Sequence, residues 1–297
     1  MMYTVLTHLV EVKTGKSFSD FLEEHFFTPL GMTSTALQPS RISAKGLDNK
    51  VAKAHVWDKD KKTFAICSAL ESPEAQGAGC ILSTAPDYLR WVKAMMKKQG
   101  PVTRKIYKDL TKARSITRPW QSAPKKLLSP DLYAAGLEVS YYRGYQIFGH
   151  DGGVDGFGSR HFWVPAFGLG CVVLGNGTDA GDIGNVVQLH LIDELLGVPE
   201  DERVVDGDVS DSGSDDADEE DEDETLQKAI KRLYPGVVQG DLELPLDLYT
   251  GNYWNAGYRG LTVQIQEDHL FIDANDRSLP LELVITHVSD NTSFIAH

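Results

Sequence analysis

The residues with the clearest chemical character lie between Tyr145 and Arg160, in the sequence YQIFGHDGGVDGFGSR. A short apolar strand there leads to His150, which Gly152 and Gly153 follow. Glycines let a backbone approach a ligand closely, and fixed N–H donors stabilise the charge that develops on oxygen during acyl transfer. The pattern fits a histidine that orients such an oxyanion or donates to it. It fits equally a tight hairpin whose histidine is hydrogen-bonded within the protein.

A serine nucleophile needs a base close enough to take its proton. Three short matches to serine-hydrolase patterns occur in the chain: Ser122-Ala123-Pro124-Lys125, Tyr253-Trp254-Asn255 and Ser289-Asp290-Asn291. Patterns this short arise about once by chance in a chain of this length. A proline between the serine and the lysine of the first match predicts a turn, so the two side chains would not face each other across one helical turn. We assign catalysis to none of the three.

Other chemistries have no motif in the sequence. It contains no G-x-S-x-G elbow, no H-E-x-x-H, no P-loop and no G-x-G-x-x-G, so neither a metal nor a cofactor is expected. Cys67, Cys80 and Cys171 form no C-x-x-C pair and are predicted to be reduced core residues of a cytoplasmic protein. No apolar run is long enough to cross a membrane, and the N-terminus has no signal-peptide order, although a signal ahead of a truncated start would not be visible.

The net charge of −14 comes mostly from one segment. Residues 206–224 carry twelve Asp and Glu and no Lys or Arg, so the rest of the chain has a charge of −14 + 12 = −2. Nearly neutral folded parts argue against a nucleic-acid-binding face. The acidic segment has almost no apolar side chains to offset the entropy of ordering, which predicts a disordered linker between residues 1–205 and 225–297.

Helices are predicted on both sides of the histidine segment. Apolar residues recur at helical spacing near the N-terminus, and a second helix is predicted to begin after Ser17 and to stop before Gly31. Thr84 and Asp87 form a capping box for a third helix with an apolar stripe. A last helix is predicted over about 182–196.

Strands are predicted from alternation and turn residues. Three strand-like runs lie near 137–142, 158–164 and 169–174, separated by glycine-rich turns, and a charged turn joins a further pair near 55–57 and 63–66. Beyond the acidic segment, apolar and polar residues alternate around Val263, Ile272 and Leu283, which predicts a small separate β module.

Several segments in order resemble one family. GHDGGVDGFGSRHFWVP followed by GLGCVVLGNG is similar to the third motif region of class C β-lactamase-related serine hydrolases and penicillin-binding proteins. HLVEVKTGKSFSDFLEEHFFTPLGMTST and AGCILSTAPDYLRW resemble that family's helices and its Pro-Leu-Gly-Met signature, and LYTGNYWNAGYRGLTV resembles the β module appended to many members. The resemblance covers most of the chain outside the acidic segment.

The resemblance implies an α+β fold, in which an antiparallel β-lactamase/transpeptidase-like sheet with flanking helices lacks its N-terminal part and a small all-β module follows. It implies that His150, Gly152 and Gly153 form one wall of the active site, with a backbone N–H after Gly152 in the oxyanion hole. The family's Ser-x-x-Lys and Tyr-x-Asn motifs would lie ahead of Met1, and Tyr3-Thr4-Val5 does not supply the asparagine.

Two hypotheses of function follow. In the first, the chain is a truncated and inactive form of a serine hydrolase that cleaves a small amide or ester through an acyl-enzyme, and a protein partner covers the sheet left open. In the second, it is a non-catalytic relative that binds or scaffolds through the retained cleft wall, with the acidic linker contacting a basic partner. The substrate and the oligomeric state are not predicted by the sequence.

Overall fold

A six-stranded antiparallel sheet organises the first part of the chain. The computed structural model describes residues 2–58, 61–69, 71–117, 127–154, 156–177, 179–204, 222–238, 240–256, 259–277 and 281–297. These residues fall into two compact units, Met1–Ser212 and Gly213–His297. The six strands of the first unit's sheet are β5 (Ser115–Ile116), β6 (Leu132–Tyr133), β7 (Glu138–Tyr142), β8 (Tyr145–Val154), β9 (Phe157–Val164) and β10 (Leu169–Gly175). Their order in the sheet is β10-β9-β8-β7-β6-β5.

Helices and two short ribbons complete the first unit. The helices are α1 (Met2–Thr14), α2 (Phe18–Leu22), a π-helix (Glu23–Phe27), α3 (Thr28–Leu30), α4 (Pro39–Ala44), α5 (Gln76–Gly79), α6 (Ala85–Lys97), α7 (Arg104–Thr111) and α8 (Ala180–Leu196), with 3₁₀ turns at Asp48–Lys50 and Glu200–Glu202. The ribbons pair β1 (Ala36–Leu37) with β4 (Ile81–Leu82), and β2 (Ala54–Asp58) with β3 (Thr63–Cys67).

The predicted helix signals are present as hydrogen bonds. Ser17 Oγ accepts from Asp20 N at 3.1 Å and Thr84 Oγ1 accepts from Asp87 N at 3.3 Å, so both predicted N-caps are confirmed. Gly31 ends its helix with φ +69°, a conformation that suits glycine. The second helix differs from a plain α-helix because it passes through a π-helical turn before Thr28.

The sheet is covered by hydrophobic side chains on both faces. One cluster joins Val92 and Met95 of α6 to Phe148 and Trp163 of the sheet. A second cluster joins Ile147, Phe162 and Val164 of the sheet to Leu189 and Ile192 of α8. Because neighbouring residues of a strand point to opposite faces, Phe148 and Ile147 enter different clusters. The sheet therefore has helices packed on both faces, and because all its strands are antiparallel the predicted α+β class is confirmed.

The second unit is a five-stranded antiparallel sheet with one helix. Its elements are α9 (Glu222–Leu233), a 3₁₀ turn (Leu246–Tyr249), β11 (Gly251–Asn255), β12 (Arg259–Gln266), β13 (His269–Asp273), β14 (Glu282–Ser289), a 3₁₀ turn (Asp290–Thr292) and β15 (Ser293–Ala296). The strands pair in sequence order. Val263, Leu270 and Ile272 form its core, and Ile230 of α9 packs with Val288 and Ile295. The predicted β module is present, with a helix added.

Two features differ from the expectations or lie beyond the described chain. The glycines after His150 were expected in a turn, but β8 continues through them to Val154 and turns only at Gly156, because β9 pairs with every residue from Phe148 onward. Most of the predicted linker, 206–224, lies outside the described residues, and α9 begins inside it at Glu222. Ser122 and Lys125 also lie outside them.

Candidate functional site

His150 lies where β8 loses one of its two neighbours. Strand β7 pairs with β8 only as far as Gly149, whereas β9 pairs with it up to Val154. From His150 onward, one backbone edge of β8 therefore has no partner strand among the described residues. Gly153 is exposed on this stretch, and Gly152 is partly buried. We call residues 150–154 with this open side the free edge of β8.

The ring of His150 is held by two hydrogen bonds. Its Nε2 lies 3.0 Å from the hydroxyl of Tyr133, and its Nδ1 lies 2.5 Å from the carbonyl oxygen of Asp151. Burial, together with the hydrogen bond between the Tyr3 and Tyr133 hydroxyls, raises the pKa of Tyr133, so its phenol stays protonated at neutral pH. A carbonyl only accepts, so Nδ1 carries the ring proton and Nε2 accepts from Tyr133.

The phenol of Tyr3 extends this arrangement toward α1. The hydroxyls of Tyr3 and Tyr133 lie 3.4 Å apart, although 130 residues separate them in the chain. Tyr3 also stands 3.3 Å from where a side chain on Gly136 would begin. Two phenols and one imidazole therefore form a hydrogen-bonded row beside the free edge of β8, and hydroxyls of this kind can pass a proton or hold a polar ligand atom.

A buried ion-pair network holds the strand on the other side of His150. The guanidinium of Arg160 donates to Asp151 at 2.6 Å, to Glu138 at 2.8 Å and to Gln188 at 2.9 Å, and its side chain is 6% exposed. Asn185 of α8 donates to the second oxygen of Asp151 at 3.2 Å. The pairing with two carboxylates raises the pKa of Arg160 despite its burial, which opposes the charge. The network fixes the residue whose carbonyl binds His150.

A second histidine, His161, lies directly opposite His150 on β9. Its Nδ1 lies 3.2 Å from the hydroxyl of Tyr88, while its Nε2 is buried without a hydrogen-bond partner in the described part of the chain. Burial lowers the pKa of His161 to about 3, with Arg160 and His150 adding to the effect. Burial likewise raises the pKa of Tyr88 to about 12. Both groups are neutral at neutral pH.

The two glycines of the free edge have different surroundings. A side chain on Gly152 would begin 2.3 Å from the Oγ of Ser159 on β9, whereas nothing lies within 4 Å of the same position on Gly153. Gly149 is more confined, since a side chain there would begin 2.4 Å from the carbonyl oxygen of His161. Glycine at 149 and 152 lets β8 and β9 approach closely beneath the site.

The sequence pointed to His150, Gly152 and Gly153, and the structure places them together on one strand segment. It did not point to Tyr133, Arg160 or His161. Arg160 and His161 left a signal, because they are titratable residues in the strand FGSRHFWV, whose other members apart from Ser159 are apolar residues or glycine. No sequence signal marks Tyr133, because its contact with His150 depends on how three strands pair.

The other sequence matches have structural roles in the second unit. Tyr253 lies on β11 and its hydroxyl donates to the Tyr249 carbonyl at 2.8 Å. Ser289 is a buried residue at the end of β14, and the Asn291 side chain accepts from Glu243 N at 3.1 Å. No group of three or more His, Cys, Asp or Glu among the described residues is arranged to hold a metal ion. Nor does that part of the chain contain a helix long and apolar enough to cross a membrane.

This α+β arrangement is the fold of penicillin-binding proteins. A solved structure with the same fold is that of the octameric penicillin-binding protein homologue from Pyrococcus abyssi, which matches 99% of this chain and 56% of its own with a TM-score of 0.58 and 16% identity. The Beta-lactamase family matches residues 1–190, and a domain of unknown function, DUF3471, matches residues 237–297. The chain belongs to the Beta-lactamase family.

Two fungal relatives and one bacterial relative match the chain in sequence. Unguisins hydrolase ungD' of Aspergillus campestris is 31% identical over 303 residues, covering 97% of this chain and 53% of the relative. Unguisins hydrolase ungD of Aspergillus violaceofuscus is 30% identical over 94% of this chain and 50% of its own length. Penicillin-binding protein 4 of Amycolatopsis lactamdurans is 26% identical over 66% and 51%. The chain thus spans about half the length of these relatives.

Proposed function

We propose that this chain forms the substrate-binding wall of a hydrolase that cleaves a small amide or ester, and that the chain by itself forms no acyl-enzyme. The observation that carries the proposal is the His150–Tyr133 hydrogen bond beside the free edge of β8, with exposed Gly153 next to it. The family and the names of the fungal relatives, which are called hydrolases, support the reaction class.

The free edge supplies what a carbonyl substrate needs from a binding wall. Unpaired backbone groups of a strand can accept an extended peptide as an additional strand. The N–H of Gly153 is a fixed donor that could stabilise an oxyanion, and a glycine leaves room for the carbonyl to approach. His150, Gly152 and Gly153 are the residues to which we assign this wall.

The proposed lack of activity rests on the described residues, among which we find no serine activated by a neighbouring base. Acyl transfer needs an activated hydroxyl, and a serine is a weak nucleophile until a neighbouring group takes its proton. Within the described residues of the first unit, no hydrogen bond joins a serine hydroxyl to a lysine amine. Both nitrogens of His150 are already engaged, so the imidazole is not available as that base.

Two apolar or unpaired surfaces of the first unit fit a protein partner. Among the residues that the structure describes, β10 is an edge strand of its sheet, and Leu174 on it is exposed. Helix α1 has an exposed apolar stripe at helical spacing, consisting of Met2, Val5, Leu6, Leu9 and Val12. Exposed sheet edges and apolar patches mark interaction sites or association liabilities. We propose that a polypeptide carrying the nucleophile covers both.

The proposal is tested by labelling with a fluorophosphonate probe and by turnover of p-nitrophenyl esters and a chromogenic β-lactam. The chain alone should give neither labelling nor turnover. Adding the part of the Aspergillus campestris relative that has no counterpart in this chain should produce labelling, which His150→Ala should reduce about 100-fold or more. The matched control is His190→Ala, an exposed histidine on α8.

Labelling of the chain alone would contradict the proposal. Ser122→Ala should then be compared with the unchanged chain, because Ser122 and Lys125 are spaced as a Ser-x-x-Lys. Loss of labelling in that variant would make this serine the nucleophile and the chain an enzyme in its own right.

A further inference from the structure

The β2–β3 hairpin of the first unit has one apolar face exposed to solvent. Trp57 lies directly opposite Phe64, and His55 lies opposite Ile66, so all four side chains point to the same side. Trp57, Phe64 and Ile66 are 48%, 59% and 61% exposed. The rings of Trp57 and Phe64 meet edge to face with centroids 5.0 Å apart. We call His55, Trp57, Phe64 and Ile66 the hairpin face.

The base of this hairpin is attached to the strand that carries the candidate site. The backbone N–H of His55 is shared between the carbonyls of Gly156 and Asn176, each at 3.1 Å. Gly156 is in the turn that joins β8 to β9, and a side chain there would begin 2.6 Å from His55 N. The His55 ring contacts the Asn176 carbonyl at 3.1 Å. The hairpin is therefore fixed at the end of the free edge of β8.

Distances along the strand relate the two features. His150 precedes Val154, the end of β8, by 154 − 150 = 4 residues. At about 3.3 Å per residue this is about 13 Å. An extended peptide advances by about the same length per residue, so a substrate bound along the free edge would pass from His150 to the base of the hairpin within about four residues, with its reacting carbonyl at Gly153 close to that base.

We propose that the hairpin face binds an apolar or aromatic side chain of a peptide-like substrate, close to the bond that reacts. This inference rests on the proposed function and adds a specificity-determining surface to it. Trp and Phe give a large contact area with few rotatable bonds, so they lose little entropy when a ligand binds. Beside the face, the charges of Lys61 and Asp58 are paired with each other at 2.7 Å.

The size of the face favours a ligand side chain over a second copy of the chain. The exposed parts of Trp57, Phe64 and Ile66 amount to roughly 300 Å², taking about 150–250 Å² for a whole aromatic side chain. A stable dimer buries about 800 Å² on each partner. An area of this size matches one or two ligand side chains.

The test measures binding to the complete chain by titration calorimetry. The probe is a blocked hexapeptide of serine and glycine with two phenylalanines, and the comparison peptide has serine in their place. The phenylalanine peptide should bind, and Trp57→Ala and Phe64→Ala should each weaken it about tenfold, which is 1.4 kcal/mol. Trp57→Phe should retain most of the affinity. Trp254→Ala, at a 71% exposed tryptophan of the second unit, is the matched control and should change nothing.

Three results would overturn the inference: no binding of the phenylalanine peptide, equal binding of both peptides, or equal affinity in Trp57→Ala and the unchanged chain. A dimer in sedimentation that Trp57→Ala dissociates would also overturn it, because the occupant would then be a second copy. The measurement needs no turnover. Failure of the proposed function would therefore appear as labelling of the chain alone by the fluorophosphonate probe, and failure of this inference as peptide binding that does not depend on Trp57.

Discussion

Arg160 offers the sharpest test of how the candidate site is held. Arg160→Met removes the cation between Asp151 and Glu138 and leaves Gln188 Oε1 without its donor. Removing one partner of a buried ion pair costs about 3–5 kcal/mol. The two carboxylate side chains are 36% and 29% exposed, so water can partly solvate them, and we expect the lower value, about 3 kcal/mol. For a unit of this size the midpoint of thermal unfolding should fall by about 6–12 °C.

The assay is urea unfolding followed by tryptophan emission in a Trp254→Phe background, in which all remaining tryptophans belong to the first unit. Arg41→Met is the matched control, since Arg41 pairs with Asp20 at 2.9 Å on the surface and should cost less than about 1 kcal/mol. Arg160→Lys should fall between the two, because it keeps the charge but loses the planar fork. The reasoning is refuted if Arg160→Met is no more destabilising than Arg41→Met.

Three further predictions concern single contacts. His161 has a pKa of about 3 in the folded chain and about 6.5 in the unfolded chain, so the unfolded chain binds the proton more readily and stability is lost as pH falls from 6.5 toward 3. His161→Gln should remove this contribution to the pH dependence of the unfolding free energy, which amounts to up to about 1.4 kcal/mol per pH unit. An unchanged pH dependence in chemical denaturation would disprove the prediction. Gly149→Ala should destabilise the chain by about 1–3 kcal/mol because the added methyl group meets the His161 carbonyl. Gly153→Ala should change the free energy of unfolding by no more than about 0.5 kcal/mol, because nothing lies near that position. Equal melting temperatures of the two variants would count against this prediction. Tyr142→Phe removes the hydroxyl that donates to buried Asp193 at 2.8 Å, and it should lower the free energy of unfolding in urea by about 1–3 kcal/mol. An unchanged free energy of unfolding would contradict this prediction.

Local patterns made much of the fold predictable. The Thr84 cap, the glycine after the second helix and the strand-like runs of β9 and β10 depend on residues close together in sequence, where intrinsic preferences act directly. The extent of β8 could not be predicted in this way. Glycine clusters usually mark turns, and here the pairing with β9 outweighs that preference through Gly153.

The candidate site was predictable only in its central residues. His150 and its glycines are adjacent in the chain, so their sequence signal and their position coincide. Tyr133 reaches His150 across an intervening strand, and Tyr3 reaches Tyr133 from 130 residues away, so both contacts depend on sheet pairing and helix packing. The buried charge of Arg160 could be noticed in an apolar strand, but its partners Glu138 and Asp151 come from two other segments.

Each unit closes a hydrophobic core of its own, around Phe148 and Trp163 in one and around Val263 and Leu270 in the other. A heated sample should accordingly melt in two steps, and a single midpoint for the whole polypeptide would be an average with no simple meaning. Calorimetry can therefore show which unit a compound binds. A compound that raises the midpoint temperature of only one of the two steps binds to the unit that unfolds in that step.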